Sequence, residues 1–411
     1  MARMYGIRAE RLFAELCARS FLRGFVYHSP KYYSPTEVEA GDVVVWVRTQ
    51  VVVFEVISRE PGSNASTKSF AKRIGAKREQ LVQDRKAYLD PSIEVIMKNE
   101  GGETVAFDKS ELADYLSFAG VVVVDCQEDV MLHYQTVKLS LEVDFPLAIM
   151  TSLAFSRLLR EIDTVPDLYF YLRDRWEFLQ TDFPALAHSL LNLHCDTEEN
   201  LIACYKMNEN NFPVGALGDE NLRECSVRYS ILYVDAAARR DQENETSRII
   251  DELIDHLRVL NNGKENIILF TWELATMSRR QRAYLAPRIQ NALERMALKN
   301  PRRHFAFFNQ FTDCWLVFYF QYGGGLESFK ETSEILTRLK LFQVMRECNF
   351  QHSVYGYCFY KSELHTGSKV DSLKLTLEDA EDYAEVRESD YQESRKFFRE
   401  GKVSKINEFP D

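Results

Sequence analysis

Glu55 and Lys77 are an acid and an amine placed where apolar residues would be expected, and Asp42 is an acid at the start of an apolar run. Asp42 opens the run Gly41-Asp42-Val43-Val44-Val45-Trp46-Val47, and Glu55 stands in the middle of Val51-Val52-Val53-Phe54-Glu55-Val56-Ile57-Ser58-Arg59. Burying an unpaired carboxylate is costly, so a partner must justify Glu55. A hard divalent cation is one such partner. Mg²⁺ or Mn²⁺ takes a couple of carboxylates plus waters and phosphate oxygens, which would suit displacement at phosphorus. The plainer alternative is an ion pair between Glu55 and Arg48 or Arg59 at a sheet edge.

The elements that must position these groups are legible. Two β-branched apolar runs separated by Arg48-Thr49-Gln50 predict a buried hairpin. Alternation puts Glu55, Ile57 and Arg59 on one face and Phe54, Val56 and Ser58 on the other. Such a hairpin can bring Asp42 to Glu55. Upstream, residues 5–23 predict an amphipathic helix with Phe13, Ala14, Cys17 and Phe21 on one face. Glu10 shares that face and Glu15 falls nearly opposite. Glu10 is either a third acid turned to the interior or a capping or salt-bridging residue. Downstream, the Pro61–Ser66 turn leads into a helix capped by Ser66 or Thr67. Its stripe is Phe70, Ile74, Lys77, Leu81 and Tyr88, flanked by Arg73, Gln80 and Asp84. An amine in the middle of an apolar stripe can reach Asp42 and Glu55, or it can snorkel along the helix edge.

A helix carrying Glu10, then Asp42, then Glu55 within a strand, then the helix with Lys77-Arg78-Glu79-Gln80-Leu81, resembles the PD-(D/E)XK nuclease superfamily over roughly residues 5–125. The resemblance implies a restriction-endonuclease-like mixed sheet flanked by helices and Mg²⁺- or Mn²⁺-dependent phosphodiester hydrolysis. DNA is the implied substrate, with a possible role in bacterial defence. It makes Asp42 and Glu55 metal ligands, Glu10 an auxiliary acid, Lys77 the cation that helps deprotonate or orient the attacking water, and Gln80 a positioning group. Arg59, Lys68, Lys72 and Arg73 would hold nucleic acid. One departure is plain. The family's lysine lies two residues past the second acid, and here that position is Ile57. Lys77 would replace it; otherwise the fold is a silent scaffold that binds nucleic acid or protein.

The chain carries a formal net charge of −11, which argues against a general nucleic-acid coat. Its distribution is uneven. Residues 67–89 hold seven Lys/Arg against Glu79 and Asp84, whereas residues 378–393 hold eight Asp/Glu against Arg387 alone. A local positive region in an acidic chain suits a polyanion bound at one place, although a single such run is usually a solvated helix face. The eight cysteines form no CxxC pair and read as reduced thiols of a cytoplasmic protein. His194-Cys195 is too isolated to suggest zinc. No apolar run approaches a membrane span, and the N-terminus lacks an apolar signal segment.

The rest of the chain divides by texture. Residues 27–40 read as an irregular polar-aromatic connection that could line a channel. Strands at 92–98, 103–107 and 120–125, with a short helix near Lys109–Ser117, complete a sheet of four or five strands over residues 1–144. Residues 145–210 read as a helical connecting region, with Asp163, Thr164 and Asp167 as capping residues. Residues 211–375 predict an α+β domain with strands at Ser230–Asp235 and Ile267–Thr271, a hairpin over 304–321, a helix at 328–347 and a strand at 353–360. That order is ferredoxin-like, and the domain reads as regulatory or as the seat of a homo-oligomer contact. Gly323-Gly324-Gly325 lacks phosphate-loop spacing. The acidic tail, 376–411, is expected to be mobile or to mimic nucleic-acid charge.

Overall fold

The computed structural model describes residues 2–21, 23–33, 36–58, 67–99, 104–107, 116–125, 134–162, 164–192, 197–208, 210–212, 219–260, 265–299, 302–309, 312, 314–348, 354–362, 372–383 and 386–398. It divides into two compact units, Met1–Ala237 and Ala238–Asp411. Mixed α/β structure is found in both. The expected turn at 61–66 and the short helix near Lys109–Ser117 fall largely outside the described residues.

The first unit begins with α1 (Ala2–Phe21), β1 (Val26–Tyr33), β2 (Glu37–Glu39), β3 (Val43–Val47), β4 (Gln50–Ser58) and α2 (Thr67–Leu89). It continues with β5 (Val95–Asn99), β6 (Thr104–Ala106), β7 (Ser117–Asp125), α3 (Tyr134–Leu141), β8 (Leu147–Thr151), α4 (Ser152–Glu161), α5 (Val165–Asn192) and α6 (Thr197–Met207). Among the described residues the sheet has eight strands in the order β6-β5-β1-β3-β4-β7-β8, with β2 paired to β1. β1, β3 and β4 form an antiparallel meander. β4, β7 and β8 run parallel, which requires a crossover, and α2 lies in the one between β4 and β7. Both β3 and β4 are buried throughout their apolar lengths, as strands covered on both faces must be.

Adjacent residues of β4 show which layers those are. Phe54 meets Phe13 of α1 and Phe155 of α4 at ring-centroid distances of 5.2 and 5.3 Å. Glu55 turns to the opposite face, towards α2. On that face Gly120 of β7 lets α2 approach closely, since a Cβ there would stand 3.1 Å from Leu81. Phe13, Ala14, Cys17 and Phe21 of α1 are all buried, in keeping with the expected helical stripe.

Three readings of this unit need correction. Residues 26–33 are a strand and not an irregular connection. Pro30 lowers the strand signal but is accommodated where the β1–β5 register shifts between His28 and Lys31, beside Ser29 at φ 37°. Residues 145–210 are not solely helical, because Leu147–Thr151 joins the sheet beside β7. The sheet is accordingly larger than four or five strands. Thr164 caps α5 as expected, accepting a hydrogen bond from Asp167 N at 3.1 Å and donating to Asp167 Oδ2 at 2.7 Å. Asp163 lies outside the described residues.

α7 (Asp219–Leu260) carries the division between the units, which falls within the helix. In the second unit follow α8 (Glu265–Thr276), α9 (Arg279–Ala297), β9 (Arg302–Asn309), β10 (Cys314–Tyr322), α10 (Leu326–Cys348), β11 (Val354–Lys361), β12 (Ser372–Glu378) and α11 (Glu388–Phe397). The strand order is β12-β11-β10-β9, with β10 and β11 parallel across α10. This ββαββ arrangement is not ferredoxin-like. The strands expected at Ser230–Asp235 and Ile267–Thr271 are helical, within α7 and α8. The β-branched and aromatic content of these short runs misleads; neither Gly nor Pro interrupts residues 219–260. Residues 376–383 and 386–398 of the acidic segment are described, and they include the end of β12 and α11. Arg346 of α10 pairs with Glu388 at 2.8 Å and donates to Val386 O, and Gln343 donates to Phe398 O at 3.0 Å.

Candidate active site

The β3–β4 register fixes the acids. Val43 pairs with Phe54, so the next antiparallel step brings Asp42 opposite Glu55. The chain enters this position through Gly41 at φ +109°, a conformation that favours glycine. A side chain there would also meet Val53 Cγ1 at 2.4 Å. Asp42 N then donates to Phe54 O at 3.0 Å, and Asp42 Oδ2 accepts from Val56 N at 2.6 Å. Asp42 and Glu55 are both buried, 6% and 1% exposed.

The cation arrives from α2. Ile74, Leu81, Ala87 and Tyr88 bury its inner face, and Tyr88 Oη donates to Ala40 O at 3.1 Å, tying the helix to the lead-in of Asp42. Lys77 Nζ lies 3.2 Å from Asp42 Oδ2 and 3.4 Å from Oδ1, and it donates to Glu55 Oε2. One ammonium thus bridges the two carboxylates. Its side chain is one-third exposed. Ile57, at the strand position two past Glu55, is 1% exposed core.

α2 supplies a further acid that the sequence reading placed only on the flank of the stripe. Asp84 is fully buried and accepts from Gln80 Nε2 at 2.8 Å, whereas its Oδ2 has no hydrogen-bond donor. That carboxyl contacts Glu55. The signal was available in sequence. Asp84 stands seven residues past Lys77, two helical turns along the same face, and four past Gln80, the spacing at which side chains on a helix meet. Gln80 therefore serves Asp84, with a longer 3.5 Å contact to Glu39 O.

The electrostatics follow from burial. Burial, reinforced by the charge of Asp42, pushes Glu55 up to about 9 against the opposing pull of Lys77. Burial likewise raises Asp84 to about 7, opposed by the hydrogen bond from Gln80 and by a proton shared with Glu55. For Lys77 burial acts downward, but the carboxylates of Glu55 and Asp42 outweigh it and hold the ammonium charged. Glu10 stands half-buried at the rim. Burial raises its carboxyl, as do the charges of Asp42 and Glu39, while Lys77 opposes them.

Asp42, Glu55, Lys77 and Gln80 are therefore gathered, with Glu10 within electrostatic reach. Among the expected nucleic-acid contacts, Lys72 and Arg73 are exposed on α2, and Arg73 Nη1 donates to Ser58 O at 3.1 Å. Arg59 and the side chain of Lys68 lie outside the described residues. Among the described residues no group of three or more His, Cys, Asp or Glu side chains is placed to hold a metal ion. Asp42 and Glu55 form a two-carboxylate pair, the donor set that Mg²⁺ accepts when water and phosphate complete its shell. No helix among the described residues is long and apolar enough to cross a membrane. Comparison of the chain with protein-family models, with curated proteins and with solved structures finds no match in any of the three.

Proposed function

We propose that the first unit is a metal-dependent phosphodiesterase of the PD-(D/E)XK type, acting on DNA. The observation that supports this best is the convergence of Asp42, Glu55 and Lys77, two opposed strand acids and a helix amine, at one buried point. With β2, β5 and β6 set aside as additions, α1, β1, β3, β4, α2 and β7 give an α-β-β-β-α-β succession with β4 and β7 parallel, which supports the superfamily suggested by the motif.

The chain's own groups divide the work. Asp42 and Glu55 would hold Mg²⁺ or Mn²⁺, and the bound ion would polarise a phosphoryl oxygen and acidify a water. Lys77 orients the attacking water and offsets charge developing on the phosphate. Glu10, half-buried beside Asp42, is suited to accept a hydrogen bond from a water at the rim. Gln80 acts through Asp84, and Lys72 and Arg73 offer exposed charge to a phosphate backbone.

The direct test is incubation of the whole protein with plasmid DNA and Mg²⁺ or Mn²⁺, beside Glu55→Gln. Nicking or degradation by the wild type, abolished in the variant, is the expected result. A second reading is favoured by the apolar Ile57 and by the Lys77 ammonium already neutralising the acids: a nuclease-like scaffold that binds without cutting. An inert wild type that shifts DNA on a gel in a salt-sensitive way supports it.

A further inference from the structure

The ammonium of Lys77 occupies the oxygens that a divalent ion would need. It contacts both oxygens of Asp42 and one of Glu55, and the acids are 6% and 1% exposed. Two cations cannot share those oxygens at close range, because charges a few ångströms apart in a poorly solvated site repel by several kcal/mol at about ε 20. Nor can the pair be left bare, since a buried carboxylate without a counter-charge is strongly destabilising. One cation must therefore replace the other.

Lys77 is built to leave. Its side chain is one-third exposed and long, so the ammonium can swing outward along the edge of α2 while the helix stays anchored through Ile74, Leu81 and Tyr88. Asp42 Oδ2 also accepts from Val56 N at 2.6 Å, a hydrogen bond in which Lys77 takes no part. We propose that Lys77 closes the site as an internal cation and that a divalent ion enters only by exchange with it. Ion loading and release of the amine towards the substrate are then one event. The inference rests on the metal-dependent reading above and adds a gate to it.

The test measures Mn²⁺ alone, without nucleic acid, on the full chain by titration calorimetry or by loss of the free-ion paramagnetic resonance signal. Lys77→Met is expected to bind Mn²⁺ at least about tenfold more tightly than wild type, since it removes the competitor. Lys77→Arg is expected to bind as weakly as wild type, since it retains the charge. Equal or weaker binding by a folded Lys77→Met overturns the exchange. A second measurement needs no variant. Acylation of Lys77 in the wild-type protein, followed by mass spectrometry, is expected to increase when Mn²⁺ is added, and an unchanged rate overturns the proposal. The two claims fail separately. Wild-type cleavage with no tightening in Lys77→Met leaves a nuclease without the gate. Tightening and increased acylation, with no cleavage of any nucleic acid, leave the exchange standing and remove the nuclease.

Discussion

Gln80 and Asp84 face one another across a turn of α2 at 2.8 Å, and the oxygen of Asp84 that Gln80 does not reach is buried without a donor beside Glu55. Two carboxyls in contact within a protein interior cannot both ionise cheaply. A proton held between them satisfies the orphaned oxygen and leaves one negative charge on the pair, which Lys77 faces together with that of Asp42.

This arrangement has a stability consequence with a definite sign. Both acids are raised above their ordinary range, Asp84 to about 7 and Glu55 to about 9, so the folded state binds more protons than the unfolded chain in that interval. Their contribution is complete below the ordinary carboxylate range and is lost as pH rises through those values. In metal-free buffer the thermal midpoint of the wild type should fall from about pH 5 to about pH 9. Asp84→Asn should flatten the fall, because its amide carries a permanent donor. An identical pH slope in the variant would show that Asp84 does not hold the proton.

How much of this could be read from sequence depends on the range of the interaction. The hairpin, the inward face of α1 and the place of Lys77 on an apolar stripe all follow from local periodicity. The register that opposes Asp42 to Glu55 follows from the turn at Arg48-Thr49, whose first residue takes φ 52°. Its spacing from Lys77 and Gln80 puts Asp84 on the same face, but an acid beside an apolar stripe is ordinarily solvated, and its burial follows only from the docking of α2 on β4 and β7. β1 was hidden by Pro30, whose bulge depends on pairing with β5. In the second unit the error was one of period. Ser230-Ile231-Leu232-Tyr233-Val234 has strand composition, but it lies in a continuous helix of 42 residues.

Asp42 should matter to folding as well as to chemistry. Its Oδ2 receives Val56 N at 2.6 Å, so Asp42→Ala leaves a donor of the central strand without that acceptor and Lys77 without half its counter-charge. We expect a loss of about 1–3 kcal/mol in urea unfolding. Asp42→Asn, which keeps an acceptor oxygen, should recover most of that stability while remaining inactive towards DNA. Equal destabilisation by both substitutions would count against the hydrogen bond as the cause.

Gly41 gives a test of how tightly the lead-in is constrained. Ala at φ +109° is strained, and its Cβ would approach Val53 Cγ1, a stiff β-branched side chain, to 2.4 Å. Gly41→Ala should cost about 1–3 kcal/mol and displace the Asp42 carboxylate from Lys77. The measurement is denaturant unfolding beside Mn²⁺ affinity, and both should fall together. Unchanged Mn²⁺ affinity in a destabilised variant would mean that Asp42 is held by Val56 N alone.

The second unit has an equally close approach of its own. Gly356 of β11 lies beneath the hydrogen-bonded pair Thr337 and Thr376, whose hydroxyl oxygens are 2.6 Å apart, and a Cβ would stand 2.2 and 2.1 Å from them. That hydroxyl pair joins α10 to β12, whose Thr376 is the cross-strand partner of Gly356. Gly356→Ala must push the helix and strand apart or break the pair, which overpacking data place at about 1–3 kcal/mol. Proteolysis of native protein should then become faster within residues 238–411, while Mn²⁺ binding at Asp42 and Glu55 stays as in the wild type. Loss of Mn²⁺ binding in this variant would show that the integrity of the ββαββ sheet is coupled to the site in the first unit.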